Sequence, residues 1–278
     1  MTEEAQLNAI DQFQDLMIDR LKNSRFGGTI IAGWYLFFYD YQYRYGISYF
    51  GYLWPLLKAV LTAVPLILLG RALDLHERHG SLPFELYLFS GFLGWSLFWD
   101  SIQSLMTLTR RCRKMFQKVN VSVPVILVAT MFHIGPAIFV NLVFLVGTAI
   151  YLKVPPVPTF LFGLIPLSGL LMTGMAIGLP IAGLTFLYQD ASYGIGYFNQ
   201  LLFWATPVVT LIPDHGLLRQ VYLSNPLTHL IAATRGLFFG QEYSILYASL
   251  SFGLALVLFC ISLLLYRRIS RLAIEYVL

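Results

Sequence analysis

Three stretches of this sequence, 123–152, 159–188 and 244–266, contain no Asp, Glu, Lys or Arg. A helix rises about 1.5 Å per residue, so about twenty apolar residues match a bilayer core of about 30 Å, and each stretch is long enough. A soluble domain that buried three such runs would need a large polar surface to cover them, and the chain does not have one. It is 58% hydrophobic and 12% charged with a mean hydropathy of +0.70, against about 45–50% apolar residues in soluble domains. The ten-residue alternation of an outer-membrane barrel is missing. The expected class is therefore an all-α membrane protein.

The stretch that orients it lies just before the first of these runs. Arg110, Arg111, Arg113, Lys114 and Lys118 stand together with no acid among them, and a short loop rich in Lys and Arg belongs on the cytoplasmic side. Met115 and Phe116 interrupt the charges. A purely solvated loop gains nothing from such a pair, whereas a short helix docking on a protein surface does. The net charge of +4 resides mainly in these expected cytoplasmic loops, so no nucleic-acid partner is needed to explain it. Cys112 lies within the loop and Cys260 in the last apolar run, with neither metal-ligand spacing nor a disulfide framework.

Taken in order, residues 1–26 form a polar segment with Leu7, Ile10, Phe13, Leu16, Met17 and Leu21 at near-helical spacing, which predicts an amphipathic helix. It lacks the basic start and small-residue cleavage site of a signal peptide and is expected to be retained. Residues 27–45 are apolar and aromatic but carry Asp40, Gln42 and Arg44, and they are expected to form a cytoplasmic interfacial helix. Spans are then expected at about 49–69, 86–109, 123–152, 159–188, 192–210 and 244–266. The segment from Ile212 to Gly240, punctuated by Pro213, Gly216, Pro226 and Gly236, is too irregular to face lipid and predicts short re-entrant or external helices. Arg267, Arg268 and Arg271 end the last span, giving about six crossings with both termini in the cytoplasm.

Several polar residues fall inside expected spans. Lys58 either snorkels back to the interface or faces a pathway. Asp100 and Gln103 lie in the second span, and His133 and Asn141 in the third are candidate partners for Asp100. In the fourth, Gly174, Gly178 and Ala182 recur every four residues, a ridge that admits close approach of another helix.

The run Arg44-Tyr45-Gly46-Ile47-Ser48-Tyr49-Phe50-Gly51-Tyr52-Leu53-Trp54-Pro55-Leu56-Leu57, followed by Gly91-Phe92-Leu93-Gly94-Trp95-Ser96-Leu97-Phe98, resembles the opening of permease subunits of type-2 ATP-binding-cassette exporters. Val123-Pro124, Gln189-Asp190, Thr206-Pro207-Val208-Val209 and Asn225-Pro226-Leu227 followed by Arg235 resemble that family's later landmarks in the same order. Within it the pattern is most similar to exporters of O-antigen, capsule or teichoic acid chains, over about residues 30–270.

The resemblance implies one transmembrane domain over 27–278 that works with a second copy of itself and two ATP-binding subunits, which hold the ATP and Mg, in a bacterial cytoplasmic membrane. It also implies that Arg110, Arg111, Arg113, Lys114, Met115, Phe116 and Lys118 couple to the ATPase, and that the substrate is a lipid-linked glycan. Independently, the chain contains no G-x-x-x-x-G-K-[ST] phosphate loop, so ATP hydrolysis is expected in a separate subunit. No catalytic residue, metal site or cofactor is expected in this chain. Aromatic faces stack on sugar rings while their polar tips bind hydroxyls, which makes Tyr52, Trp54, Trp95 and Trp99, with Lys58, the candidate substrate path. Two alternatives stand beside this reading, a permease of the same architecture for a drug or small lipid and a membrane enzyme of glycan assembly. For the enzyme, Asp214, His215 and Glu242 are sparse acid and histidine candidates.

Overall fold

The structure, a computed structural model, describes residues 27–45, 82–111, 121–185 and 190–277, together with isolated positions between 53 and 68. The described residues form helices and turns with no strand. In chain order the helices are α1 (Gly27–Tyr45), α2 (Phe84–Arg111), α3 (Val123–Tyr151), a 3-10 turn (Phe160–Gly163) leading into α4 (Leu164–Leu184), α5 (Asp190–Trp204), α6 (Leu217–Ser224), α7 (Pro226–Phe239) and α8 (Ile245–Val277). Among the described residues three helical stretches are long and apolar enough to cross a membrane: Val123–Tyr151, Phe160–Leu184 and Ile245–Ile269.

Helix α4 is the axis of the bundle. It packs along α2 on one flank and α8 on the other, α3 lies against α2, and α1 lies on α3. The small-residue ridge makes this possible. A Cβ added at Gly178 would sit 3.0 Å from the Ile102 Cα and 2.9 Å from the Leu105 Cδ1, and one at Gly174 would meet the Phe98 carbonyl oxygen. The ridge thus faces α2 backbone, and removing the side chains lets the two helix axes approach closely. On the other flank Gly183 faces Ile269 and Gly169 faces Phe252. Helix α7 closes one end of the bundle against α2, α4, α8 and the 3-10 turn.

Local chemistry sets the boundaries of α7. Asn225 is its N-cap, its side chain accepting from the Leu227 amide at 3.0 Å, and Pro226 occupies the first turn, where a missing N–H leaves nothing unpaired. Gly240, at φ +77°, is the left-handed residue that ends the helix. Gly236, read from sequence as a breaker, lies inside the helix, where its missing side chain admits the Tyr243 ring.

Several boundaries differ from expectation. The segment expected to span from 192 to 210 is the 15-residue helix α5, about 22 Å long and short of the bilayer core. It ends at Trp204 because Pro207 follows and removes a backbone donor. Helix α2 is continuous over 28 residues but is not among the three apolar stretches. Ser90, Ser96, Asp100, Ser101, Gln103 and Ser104 dilute its apolarity, and neighbours α3, α4 and α7 surround it. Helix α8 does not stop at Arg267 and Arg268 but runs through them to Val277. The amphipathic segment 1–26 and nearly all of the expected first span lie outside the described residues.

Candidate functional site

Helix α1 buries Ala32, Leu36, Phe37, Asp40 and Tyr41, one stripe at helical spacing. A carboxylate on a buried stripe must find a cation, because an unpaired buried charge is too costly to keep. Asp40 has no exposed side-chain surface, and the Arg111 guanidinium lies at 3.2 Å from one carboxylate oxygen and 3.4 Å from the other. The Nδ1 of His133 is 3.7 Å from the second oxygen. Three elements are thereby clasped at one point: the C-terminal half of α1, the last residue of α2 and the third turn of α3, which carries Phe132 and His133.

An aromatic ladder holds the clasp in place. Trp34, Phe37 and Tyr41 follow one another along α1 with centroids 5.3 Å apart at each step. Trp34 meets Phe132 edge-on at 5.1 Å, and Phe37 meets the His133 ring edge-on at 5.7 Å. Edge-to-face pairs of this kind orient rings as well as bury them. Gly33 lets the backbones close, since a Cβ there would lie 3.2 Å from the Ala129 amide nitrogen. The outer face of α1 exposes Ile30, Ile31, Trp34 and Phe38. Beside it, Ile30, Ile31, Trp34, Tyr35 and Phe132 line an open cleft of about 450 Å³.

A second constellation joins segments far apart in sequence. Arg235 of α7 is buried. Its Nε donates to Ser90 Oγ at 3.3 Å, Nη1 to the Pro207 carbonyl at 3.1 Å, and Nη2 to the carbonyls of Tyr87 at 3.1 Å and Val208 at 2.8 Å. The guanidinium carbon lies 3.5 Å from the Tyr87 ring centroid, within cation–π distance. Among the described residues no carboxylate is within ion-pair distance of Arg235. Gly91 reserves the space, because a Cβ there would collide with Arg235 Nη2 and lie 2.5 Å from the Val208 carbonyl. The Asn225 amide donates to the Ala205 carbonyl at 3.0 Å and to Thr206 Oγ1 at 2.8 Å. Gly91, Thr206-Pro207-Val208, Asn225 and Arg235, read from sequence as separate landmarks, therefore meet in one knot.

Of the predicted coupling residues, Arg110 is exposed at the end of α2 and Arg111 is in the clasp. Arg113, Lys114, Met115, Phe116 and Lys118 lie outside the described residues, as do Tyr52 and Lys58 of the predicted path. Trp54 is exposed. Trp95 is buried, packing on Phe98 and edge-on against Phe203, each at 5.3 Å, and Trp99 is half-buried on the same core. Trp95 is thus part of the hydrophobic core formed by the described residues. Asn141 donates to Ser96 Oγ at 3.1 Å, and the carboxylate beside His133 is Asp40, so the two candidate partners of Asp100 have other company. Among the described residues no group of His, Cys, Asp and Glu is arranged to hold a metal.

Sequence reading passed over the clasp. The signal was available in the spacing of Leu36, Phe37, Asp40 and Tyr41, which places the carboxylate on the apolar face. No protein-family model matches this sequence, and the comparison with curated proteins returns no match.

Proposed function

We propose that this chain is the transmembrane permease subunit of an ATP-driven exporter that passes a lipid-linked polysaccharide, of the O-antigen, capsule or teichoic acid type, outward across a bacterial cytoplasmic membrane. In this reading it crosses the membrane six times with both termini cytoplasmic, the fifth crossing being made by the short helix α5 continued by the non-helical residues that follow Trp204. It pairs with a second copy of itself and with two ATP-binding subunits that hold ATP and Mg. The sequence landmarks motivate the family. The observation that supports it is the clasp, because coupling requires that a force applied to the cytoplasmic surface reach the spans. Asp40 ties α1 to Arg111, at the start of the basic run, and stands beside His133 on a helix long and apolar enough to cross a membrane. A push on α1 is shared with α2 through the Asp40–Arg111 ion pair and reaches α3 through the rings of Phe132 and His133 packed beside it. The exposed Ile30, Ile31 and Trp34 beside the clasp supply an apolar anchor of the kind that gives most interface energy, while the cations steer and set register.

The test is purification of the tagged chain from its native membranes. The expected result is a co-purifying subunit bearing a phosphate loop, and ATP hydrolysis by the complex that rises with added lipid-linked glycan. ATP turnover by the isolated chain overturns the proposal. Stimulation by a drug or a small lipid, and not by glycan, keeps the architecture and replaces the cargo.

A further inference from the structure

Between Trp204 and Leu217 the chain leaves helical geometry, and such an interruption is where a hinge is ordinarily sought. It leaves carbonyls without intrahelical partners, and Pro207 supplies no donor. Here those carbonyls are taken up from outside. Ala205 accepts from Asn225, Pro207 and Val208 from Arg235, and Thr210 from the Tyr87 hydroxyl at 3.0 Å. The Thr206 carbonyl accepts from the Val208 amide at 2.7 Å, and Thr210 Oγ1 is 2.9 Å from the Tyr222 hydroxyl of α6. Helix α5 is otherwise held to α2 by Phe203, edge-on against Trp95, with Leu202 on the same core. Ile195 is its one buried apolar side chain among those described, while Tyr197, Leu201 and Trp204 are exposed.

We infer that Arg235 makes the α5–α6 break a fixed joint, so that α5 is carried as a rigid extension of the body formed by α2 and α7. The guanidinium is a planar fork with fixed donor directions, and here it spans three segments at once. Its partners are neutral oxygens and an aromatic face, so the joint is not an ion pair that a change of local charge would open. Gly91 leaves the fork no slack. Lysine keeps the charge but has three donors around one nitrogen, and these cannot reach Ser90, Pro207, Tyr87 and Val208 together. Any relative movement of the spans must then flex elsewhere than at 205–210. This holds whether or not the chain is a permease.

Spin labels at Leu201→Cys on α5 and Leu161→Cys on the 3-10 turn, both exposed positions, test the joint in lipid nanodiscs. Cys112 and Cys260 are replaced by serine, and labelled chains are diluted with unlabelled ones. The expected result is one narrow distance distribution, broadened about twofold by Arg235→Lys and by Gly91→Ala, with a control pair at Leu161→Cys and Leu254→Cys unchanged. A distribution already broad without either substitution overturns the inference, as does an unchanged width in both variants. Broadening of the control pair as well means general loosening and also overturns it. If Arg235→Lys is not recovered folded, Gly91→Ala, which leaves the arginine in place, decides.

Discussion

Replacing Asp40 with asparagine removes one charge and almost no volume. At the observed 3.2 Å separation, opposite unit charges attract by about 5 kcal/mol at an effective dielectric of about 20. Part of that is offset by desolvation of the carboxylate, which the amide does not require, and Arg111, with 24% of its side chain exposed, turns partly to water. Asparagine also still accepts one hydrogen bond. A net loss of about 3 kcal/mol remains, at the low end of what breaking a buried pair costs. The loss falls on docking of α1, because Asp40 links that helix to α2 and α3 while the α2–α4 ridge is untouched. Hydrogen exchange of α1 amides should therefore rise about a hundredfold, with exchange in α4 unchanged. Combining Asp40→Asn with Arg111→Gln should add little to either alone, since each removes the same interaction. Additive effects of the two substitutions, or equal acceleration in α1 and α4, would refute the clasp as the element that holds α1.

Three further expectations follow from the reading. Gly178→Leu should abolish accumulation of folded protein, because the new side chain meets α2 backbone that cannot retreat, and overpacking of this kind costs about 1–3 kcal/mol or more; normal thermal stability in detergent would contradict the ridge contact. Phe116→Ala should leave membrane insertion intact while weakening co-purification of the ATPase and the link between hydrolysis and transport, and unchanged values of both would remove Phe116 from coupling. Lys58→Met should depress export of the glycan at an unchanged level of folded protein if the lysine faces the path, and normal export would favour snorkelling.

Helix type and several endpoints were legible because they rest on local chemistry. The charge-free runs gave the three apolar helical stretches, whereas Asn225-Pro226 and Gly240, which bound α7, were read only as parts of an irregular segment from Ile212 to Gly240. The helix-breaking role given to Gly236 was wrong because its missing side chain serves a tertiary contact with Tyr243, invisible to local reading. The end of α5 was misplaced since apolarity continues past Trp204 while helical geometry does not. Spacing alone placed Gly174, Gly178 and Ala182 on one ridge, but not which helix it meets. For the candidate site, sequence singled out Arg111 as one cation of a basic run, yet its partner Asp40 was read as an interruption of an apolar segment. Trp95, singled out from sequence for its aromatic character, packs edge-on against Phe203. For Gly236 and Asp40 a tertiary neighbour decided what the residue does.

The last helix also offers a practical handle. Over 33 residues it extends about 50 Å, and a bilayer core of about 30 Å takes up only some twenty of them. About thirteen residues remain to continue the same rod beyond the hydrocarbon. A helical reporter spliced without a linker onto its end would inherit that rod's direction, and each residue added at the splice would swing the reporter by about 100° around it. The C-terminus is thus a goniometer, on which a fiducial domain can be turned until it clears its surroundings for imaging.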